Sequence, residues 1–474
     1  MRFADLFAGH VAEPLALEVS GVCRDSRLLR PGEVYVAMGP AHEQPGHIAE
    51  AIARGAVAVV VEGGIPGLAG VIPLLITPNA RAAYSCASAM AHGLDRRCPA
   101  LLAMVGTAGK STTTHCAWWA LGSGAARIGT IGWHDGNTER ANPQTTPPPE
   151  QMHAFLAGLP ATCPGVAMEV SSHACDQSRC EGLSFAALVF TGIGHDHLDY
   201  HHTMEAYVAA KLSAFRWLKP GGLAILNAED ARYDLLAAAA HAAKAQVISL
   251  GFTKGNARLS SSGTGWSLTL DGNIWALPVR LPGDFNAWNT AAGALAATAL
   301  GISLDLALTR LANLPPVPGR LELLAQKPDT FVDYAHTPDE LIIMLSALRR
   351  QCSGRKLVCV FGCGGDRDRS KRGPMGRAAL LADVAILTTD NSRSEDPRAI
   401  ADEVLAGVPL DDRPRLITEL DRAAAIRLAR TCAGPDGIAV ISGKGHETDQ
   451  IIQGRTLPWD DRAFVRSLAS GSAP

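Results

Sequence analysis

The feature that most constrains the fold of this chain is a short apolar run that recurs along it. Each run has about four to eight apolar residues, ends at a cluster of Gly, Ser, Asn or Asp, and precedes a stretch with helical periodicity. This order is typical of parallel strands in an α/β sheet. The predicted strands are 101–105, 166–170, 186–190, 223–226, 357–361, 384–387 and 438–441.

The segments that directly follow these runs are rich in Gly, His and charged residues. Ligands of parallel α/β sheets bind beyond the carboxyl ends of the strands, so we expect the functional residues in these segments. The segments are 106–112, 171–173, 191–199, 362–369, 390–393 and 443–447.

Length and two boundary signals predict three domains. The chain has 474 residues, and a domain usually has about 150. Boundaries are expected at 95–99, before the first Gly-rich segment, and in the Pro-rich segment NLPPVPG at 313–319. The predicted domains are therefore residues 1–96, 97–316 and 317–474.

Charge and cysteine usage exclude several classes of protein. The chain has 43 Lys and Arg against 46 Asp and Glu, a net charge of -3, so it has no basic field for nucleic acid and no polybasic membrane anchor. Its 11 cysteines contain no CxxC pair, which argues against a zinc ribbon or a disulfide framework. We find no signal peptide and no membrane-inserting segment, and expect a cytoplasmic location.

The segment LLAMVGTAGKSTTTHCAWWAL at 101–121 has the pattern of a phosphate-binding loop. Backbone N–H groups of the loop and the helix start can surround phosphate oxygens, and Lys110 can neutralise their charge. A hydroxyl at 111 or 112 can reach Mg²⁺. The general GxxxxGK[ST] spacing fails by one glycine, at Met104. A nucleotide site is the favoured interpretation, and a glycine turn with an exposed lysine is the alternative.

A second group of residues could bind a metal ion. Glu169 ends one predicted strand, and His197 and Asp199 follow another, so a carboxylate and an imidazole could converge on a hard cation that bridges phosphates. The same stretch nearly matches the HxHxDH pattern of binuclear metallohydrolases through His195, but Tyr200 stands where that pattern needs His. Structural roles for these side chains are the alternative.

Several segments resemble the Mur ligases, the ATP-dependent amide-forming enzymes of peptidoglycan precursor synthesis. They are GTAGKST at 106–112, EVSSH at 169–173, DHLDYH at 196–201, AAK at 209–211 and GKGHE at 443–447. Their order is similar to that of the tripeptide-forming members, and the resemblance covers nearly the whole chain. It implies an α/β fold with three domains: a uridine-binding domain, a central P-loop-type parallel sheet that binds a mononucleotide, and a Rossmann-like C-terminal domain.

The resemblance implies ATP and Mg²⁺ as cofactors and assigns residues to them. Lys110, Glu169, His197 and Lys211 would be catalytic. The metal ligands would be Ser111, Glu169, His197 and Lys211, the last as an N6-carboxylysine formed with CO₂. That carbamate needs a neutral amine and therefore a partly desolvated site. The implied ATP site comprises Gly106, Thr107, Ala108, Gly109, Lys110, Ser111, Thr112, Asn286, Asn289, Arg320, Asp333 and His336.

Two further residue sets follow from the resemblance. UDP-MurNAc-L-Ala-D-Glu would contact Ser26, Thr145, Thr146, Ser171, Gln177 and Arg179. The acceptor amino acid would contact Arg367, Asp390, Asn391, Ser392, Arg393, Gly443 and Glu447. Guanidinium groups bind carboxylates in bidentate fashion and a carboxylate holds ammonium, so this set suits a zwitterion with an additional carboxylate. We expect meso-diaminopimelate, with L-lysine as the alternative.

Four positions depart from the family pattern: Ala108 and Gly192 replace Asn, His195 replaces Arg, and Ser392 replaces Pro. Ala108, Gly192 and Ser392 motivate one alternative to a tripeptide-forming ligase, a degenerate relative that only binds nucleotide. A second alternative is a family member that joins a different acid and amine, which the EVSSH, DHLDYH and GKGHE segments argue against. We expect a monomer.

Overall fold

The computed structural model describes residues 1–11, 15–40, 45–63, 71–141, 144–263, 265–351 and 354–470. The strands of the described residues are β1 (Gly21–Cys23), β2 (Glu33–Pro40), β3 (Ala58–Glu62), β4 (Leu74–Ile76), β5 (Leu101–Val105), β6 (Ala126–Gly129), β7 (Gly132–His134), β8 (Glu139–Arg140), β9 (Val166–Glu169), β10 (Phe185–Phe190), β11 (Leu218–Asn227), β12 (Gln246–Gly251), β13 (Ala257–Ser262), β14 (Gly265–Leu270), β15 (Asn273–Leu277), β16 (Glu322–Ala325), β17 (Asp329–Val332), β18 (Leu357–Phe361), β19 (Val384–Leu387), β20 (Leu416–Thr418), β21 (Ile438–Ile441), β22 (Asp449–Ile452) and β23 (Arg455–Pro458).

The helices of the same residues lie between and around these strands. They are α1 (Phe3–Leu6), α2 (Pro45–Ala53), α3 (Ala80–Ala91), α4 (Lys110–Leu121), α5 (Pro149–Gly158), α6 (Ser172–Asp176), α7 (Leu198–His201), α8 (Met204–Leu212), α9 (Tyr233–Ala242), α10 (Asp284–Thr298), α11 (Leu304–Leu311), α12 (Pro338–Gln351), α13 (Arg372–Ala379), α14 (Pro397–Ala406), α15 (Arg422–Ala433) and α16 (Asp461–Ala469). None of these helices is long and apolar enough to cross a membrane.

Three mostly parallel sheets follow one another along the chain. The first has the order β1-β2-β3-β4. The second has the order β15-β14-β13-β12-β11-β10-β5-β9-β6-β7-β8, with a parallel centre and antiparallel hairpins at both edges. The third has the order β16-β17-β21-β18-β19-β20, and β22 and β23 form a separate hairpin. Each of the three large sheets lies within one predicted domain range, while the domain limits themselves stay a prediction.

All seven predicted runs form strands of these sheets. Four of them, β5, β18, β19 and β21, have the predicted limits. The run at 166–170 ends one residue earlier, at Glu169, and β10 starts one residue earlier, at Phe185. The run at 223–226 is the final part of the longer β11. Strands β5, β9 and β10 lie side by side, so the segments that follow them meet at one edge of the central sheet.

The helix that carries the phosphate loop is held against its neighbour by a close contact. A Cβ added to Gly293 of α10 would lie 2.5 Å from Cβ of Cys116 in α4, so glycine allows the two helices to approach. The helix α10 is Ala-rich, and both helices pack into the cluster of buried residues on one face of the central sheet. This packing fixes the start of α4 relative to α10, and with it the two asparagines near the start of α10.

Candidate functional site

The loop between β5 and α4 is shaped by two glycines. Gly106 has a φ of 153°, and a Cβ there would collide with Oγ1 of Thr191. Gly109 has a φ of 84° and precedes α4, and its added Cβ would lie 2.9 Å from Oδ1 of Asn289. A side chain at either position is therefore excluded. Since the first N–H groups of a helix have no helical partner, the start of α4 can bind an anion.

The partly buried Lys110 and the buried Lys211 share one carbonyl under this loop. Lys110 Nζ donates to the carbonyl oxygens of Gly106 at 3.0 Å and Thr107 at 2.8 Å. Lys211 Nζ, from α8, donates to the Gly106 oxygen at 2.5 Å. Burial lowers the pKa of both amines, and the charge of Lys110 lowers the pKa of Lys211 further. The Lys211 side chain is 1% exposed. Burial and charge therefore both favour the neutral form of this amine.

Glu169, at the end of β9, faces the start of α4. Its carboxylate accepts hydrogen bonds from Ser111 Oγ at 3.1 Å and from the backbone N and Oγ1 of Thr130 at 2.8 and 3.0 Å. Arg320 Nη2 in turn donates to Ser111 Oγ at 3.0 Å. A buried carboxylate beside a hydroxyl offers the oxygen ligands that Mg²⁺ prefers. The donor set therefore fits the predicted magnesium site.

His197 begins α7 with a φ of 54° and lines the same cavity as Glu169. His195, two residues earlier, instead lies 3.9 Å from Asp368 of the C-terminal domain. Among the residues that the structure describes, no group of three or more His, Cys, Asp or Glu side chains is arranged to hold a metal ion. The arrangement therefore gives no support to a binuclear metallohydrolase. A metal ion on Glu169 and His197 would need ligands from a bound substrate.

A cavity of about 400 Å³ opens above the phosphate loop, between the central and C-terminal sheets. Apart from Gly106, every residue of the predicted ATP site lines it. These lining residues are Thr107, Ala108, Gly109, Lys110, Ser111, Thr112, Asn286, Asn289, Arg320, Asp333 and His336. The carbonyl of Gly106 lies beneath the cavity, where it accepts from the two lysines.

The cavity also contains residues that the sequence analysis did not single out. Tyr334 lies between the predicted Asp333 and His336, and its ring is 4.4 Å from the guanidinium carbon of Arg320. Phe252 and Phe285 supply apolar surface. Asp333 stabilises the backbone that lines the cavity, because its carboxylate accepts hydrogen bonds from the backbone N of Leu321 at 2.7 Å and of Ala335 at 2.8 Å. Aromatic side chains beside a phosphate loop suit a nucleotide base.

Five of the six residues predicted for the UDP-linked substrate lie at the end of β9 and β6. Thr146 Oγ1 donates to the Glu169 carbonyl at 2.9 Å and accepts from the backbone N of Ser171 at 3.0 Å. Arg179 Nη1 donates to the Thr146 carbonyl at 2.5 Å, and Arg179 Nε donates to Gln177 Oε1 at 3.1 Å. Thr145 lines the cavity. These residues form one bonded group that extends from Glu169.

Ser26 lies apart from that group, in a short 3-10 helix between β1 and β2. Its side chain is buried, and its hydroxyl donates to Glu50 Oε2 at 2.7 Å. A nearby ion pair joins this domain to the central one: Arg24 Nη2 and Glu150 Oε1 are 2.8 Å apart, and Tyr84 also donates to Glu150. This bridge positions the N-terminal domain beside the group around Thr146.

The predicted acceptor residues lie on three adjacent loops of the C-terminal sheet. Asn391 Nδ2 donates to Glu447 Oε2 at 2.9 Å. Lys444, which the sequence analysis did not single out, is fully buried and donates to the same Glu447 oxygen at 2.8 Å and to Asn391 Oδ1 at 3.1 Å. Gly443 has a φ of 110°, and a Cβ there would collide with Asp390 Oδ2. A fully buried cation thus orients the carboxylate predicted to hold the acceptor ammonium.

Arg367 and Arg393 also lie beside each other in this region. Arg393 has a φ of 50°, and its Nη1 donates to the Gly365 carbonyl at 2.7 Å. Burial lowers the pKa of Arg393, and the charge of Arg367 lowers it further. Ser392, where the family pattern has Pro, is buried, and its hydroxyl accepts weakly from the backbone N of Gln453 at 3.4 Å. A Cβ added to Gly364 would lie 2.9 Å from Arg393 Nη1 and 3.7 Å from Arg367 Cγ, so the two arginine side chains are close to each other despite the departure at Ser392.

The central and C-terminal domains are joined by charge pairs at the edge of this region. Lys371 Nζ lies 2.6 Å from Asp196 Oδ1, and both side chains are largely buried. Arg367 Nη1 lies 3.7 Å from Asp199 Oδ2. These pairs bring the acceptor loops close to the DHLDYH segment.

Comparison with known proteins agrees with this geometry. The profile of the Mur ligase middle domain matches residues 105–297, and that of the Mur ligase, glutamate ligase domain matches residues 319–445. This chain belongs to the Mur ligase family, whose members are ATP-dependent, amide-bond-forming ligases.

Within the family, several relatives of this chain carry the same name. A UDP-N-acetylmuramoyl-L-alanyl-D-glutamate--2,6-diaminopimelate ligase of Rhizobium meliloti (strain 1021) is 38% identical over 489 residues, 99% of this chain and 98% of its own. One from Synechococcus elongatus is 39% identical and covers 95% of this chain and 94% of its own. A solved structure of that name matches with a TM-score of 0.71 and 30% identity over 99% of both chains. The predicted three-domain α/β Mur ligase architecture is confirmed.

Proposed function

We propose that this chain joins meso-diaminopimelate to UDP-MurNAc-L-Ala-D-Glu in an ATP-driven amide ligation. The observation that carries this proposal is the meeting of three residue groups around Glu169. Ser111 of the phosphate loop bonds to its carboxylate, Thr146 of the predicted UDP-substrate group bonds to its carbonyl, and Arg320 reaches it from the C-terminal domain through Ser111. The relatives named for this reaction span nearly the whole chain.

The chemistry has two steps. The γ-carboxylate of the D-Glu residue attacks the γ-phosphate of ATP, which releases ADP and forms an acyl phosphate. The acceptor amine then attacks the acyl carbon, and phosphate leaves through a tetrahedral intermediate. Because phosphoryl transfer depends mainly on positioning and charge neutralisation, Lys110 would turn from the Gly106 and Thr107 carbonyls toward the phosphates. A Mg²⁺ ion held by Ser111, Glu169 and His197 would neutralise further negative charge.

Lys211 enters this proposal as a carbamate. Its amine is buried beside Lys110, and burial lowers its pKa, so the neutral form that reacts with CO₂ is favoured. The product carries a negative charge next to Lys110, which would relieve the repulsion between the two amines. It would also add a carboxylate-like metal ligand beside Lys110.

The acceptor is assigned from the charges on the C-terminal loops. Arg367 and Arg393 provide two guanidinium groups for carboxylates, and Glu447 provides a carboxylate for an ammonium group. L-lysine lacks the second carboxylate and is the alternative acceptor. We include in the proposal a monomeric state and a cytoplasmic location, on the sequence grounds given above.

The test is an assay of ADP release with UDP-MurNAc-L-Ala-D-Glu and a panel of amino acids. We expect meso-diaminopimelate to support release of ADP and formation of the tripeptide product, with L-lysine much weaker.

Arg393→Ala should raise the KM for meso-diaminopimelate by about tenfold or more and affect L-lysine little. Activity with a different acid and amine, or nucleotide binding without turnover, would replace this proposal by one of its two alternatives.

A further inference from the structure

We propose that Glu395, anchored by Arg372, is a positioning residue that holds Arg367 and Arg393 together and thereby sets selectivity for an acceptor with a second carboxylate. The inference rests on the proposed function, because it concerns the choice of acceptor. Glu395 lies just before α14 and is two residues beyond Arg393. It is not among the residues predicted to touch the acceptor.

The two arginines are on separate loops that are bonded to each other. The first loop follows β18 and carries Arg367, and the second follows β19 and carries Arg393. The backbone N of Gly365 donates to the Asn391 carbonyl at 2.9 Å, and Arg393 Nη1 donates to the Gly365 carbonyl at 2.7 Å. A Cβ on Gly365 would collide with the Ser392 carbonyl. The position of Arg393 therefore depends on the first loop.

Glu395, on the loop that carries Arg393, makes a further hydrogen bond to the loop that carries Arg367. Its Oε1 accepts from the backbone N of Asp366 at 2.7 Å and from Arg372 Nη2 at 2.8 Å. The neighbouring Ser394 donates to the Asp366 carboxylate through its hydroxyl at 2.7 Å and its backbone N at 3.1 Å. Asp366 is thus held at its amide and at its side chain, directly before Arg367.

Both loops contain a strained residue at this contact. Asp366 has a φ of 51° and Arg393 a φ of 50°, in the left-handed region that non-glycine residues rarely occupy. Such conformations persist where surrounding contacts over-determine them, and they cluster at binding sites. The bonds from Glu395 and Ser394 to Asp366 are contacts of this kind. Without these hydrogen bonds, the strained conformation of the loop that carries Arg367 would be less stable.

Arg372 connects the contact to the body of the domain. Its side chain is 2% exposed, and Nη1 donates to Glu403 Oε2 of α14 at 2.7 Å while Nη2 holds Glu395. A guanidinium that is buried between two carboxylates gives directional, charge-assisted bonds. Arg367 and Arg393 carry like charges whose repulsion is unfavourable, and the pKa of Arg393 is lowered first by burial and then by the charge of Arg367. The bonded network opposes that repulsion before an acceptor carboxylate is bound.

The test compares Glu395→Ala and Glu395→Gln with the wild-type chain in the ligation assay. Asp402→Ala, an exposed acidic residue of α14, is the matched control. For Glu395→Ala we expect the KM for meso-diaminopimelate to rise by at least about tenfold, because the guanidinium groups lose their alignment. The selectivity for meso-diaminopimelate over L-lysine should fall by a similar factor. The KM values for ATP and UDP-MurNAc-L-Ala-D-Glu should stay within about twofold of wild type. Glu395→Gln keeps an acceptor for the Asp366 amide and should give a smaller effect.

A KM for meso-diaminopimelate that stays within about twofold, or equal losses with meso-diaminopimelate and L-lysine, would overturn the inference. If Glu395→Ala does not fold, Glu395→Gln decides by the same criteria. If the proposed function itself is wrong, the wild-type chain will show no ligation, and this result distinguishes the two failures. In that case calorimetric titration of meso-diaminopimelate and L-lysine into the wild-type and variant chains decides the inference, because it needs no turnover.

Discussion

Lys211 and Lys110 donate to the same carbonyl oxygen, that of Gly106, and burial lowers the pKa of both. For Lys211 this environment disfavours the ammonium form and thereby favours carbamate formation. At the residue scale, the site thus depends on backbone geometry as much as on side chains. Gly106 and Gly109 have no Cβ atom, so the loop can pack closely against Thr191 and Asn289.

Replacing Lys211 by Ala should abolish ligation, with a loss of at least about 100-fold. A short carboxylic acid such as acetate should restore part of the activity, because it can supply the oxygen atoms that the carbamate would provide. Lys219→Ala, which removes an exposed lysine of the same domain, should have no effect. Full activity of Lys211→Ala, measured by ADP release, would exclude the carbamate role.

At the scale of elements, much of the fold could be predicted because the central strands are uninterrupted apolar runs. Strands β5, β18 and β21 are buried along their whole length, β19 is buried except at its first residue, and each of the four is followed by Gly, Thr or Ser. The hairpins at the edges of the central sheet were not predicted because strands such as β13 and β15 are largely exposed. The sequence of β13 contains no apolar run, and the run at 274–277 in β15 is followed by Pro and Val rather than by a cluster of Gly, Ser, Asn or Asp.

The candidate site could be predicted only where a local motif marks it. Lys444 lies inside the segment GKGHE, yet its bond to Asn391 spans 53 residues and cannot be inferred from spacing. Arg372 and Glu395 are 23 residues apart, and their hydrogen bond cannot be inferred from spacing either. The resemblance to a family predicted the residues that contact ligands. It did not predict the residues that hold those ligand-contacting residues in place.

The contact between α4 and α10 gives a prediction for stability. Gly293→Ala should lower the free energy of unfolding by about 1–2 kcal/mol, because the added methyl group would overpack against Cys116 and the backbone of Ala117. Gly158→Ala is the matched control: nothing lies within 4 Å of its added Cβ at the end of α5. That variant should be neutral or more stable by about 0.5 kcal/mol, since alanine favours the helix. Urea denaturation should show the two opposite signs, and equal effects would contradict the packing argument.

At the scale of the whole molecule, the substrates that bind to different domains must come together for the reaction. The Arg24 and Glu150 pair joins the N-terminal domain to the central one, and the Lys371 and Asp196 pair joins the C-terminal domain to it. Both pairs lie beside residues predicted to bind substrates. Because these two links between domains are polar ion pairs, domain motion is expected during the reaction, with closure excluding water from the acyl phosphate.

Lys371→Met should weaken the contact between the central and C-terminal domains, because it leaves the buried Asp196 carboxylate without its ammonium partner. We expect a larger radius of gyration by small-angle X-ray scattering and a fall of about tenfold in kcat/KM. Lys356→Met, at an exposed position of the C-terminal domain, should change neither quantity. An unchanged radius together with unchanged kinetics would show that this pair does not hold the domains.

The central claim is that the chain drives amide formation through an acyl phosphate. The most direct test uses UDP-MurNAc-L-Ala-D-Glu with ¹⁸O in the γ-carboxylate of the D-Glu residue, together with ATP and meso-diaminopimelate. Attack of this carboxylate on the γ-phosphate would transfer one labelled oxygen to the phosphate released in each turnover, and mass spectrometry of the phosphate would detect it. Formation of the tripeptide product with unlabelled phosphate would contradict the account.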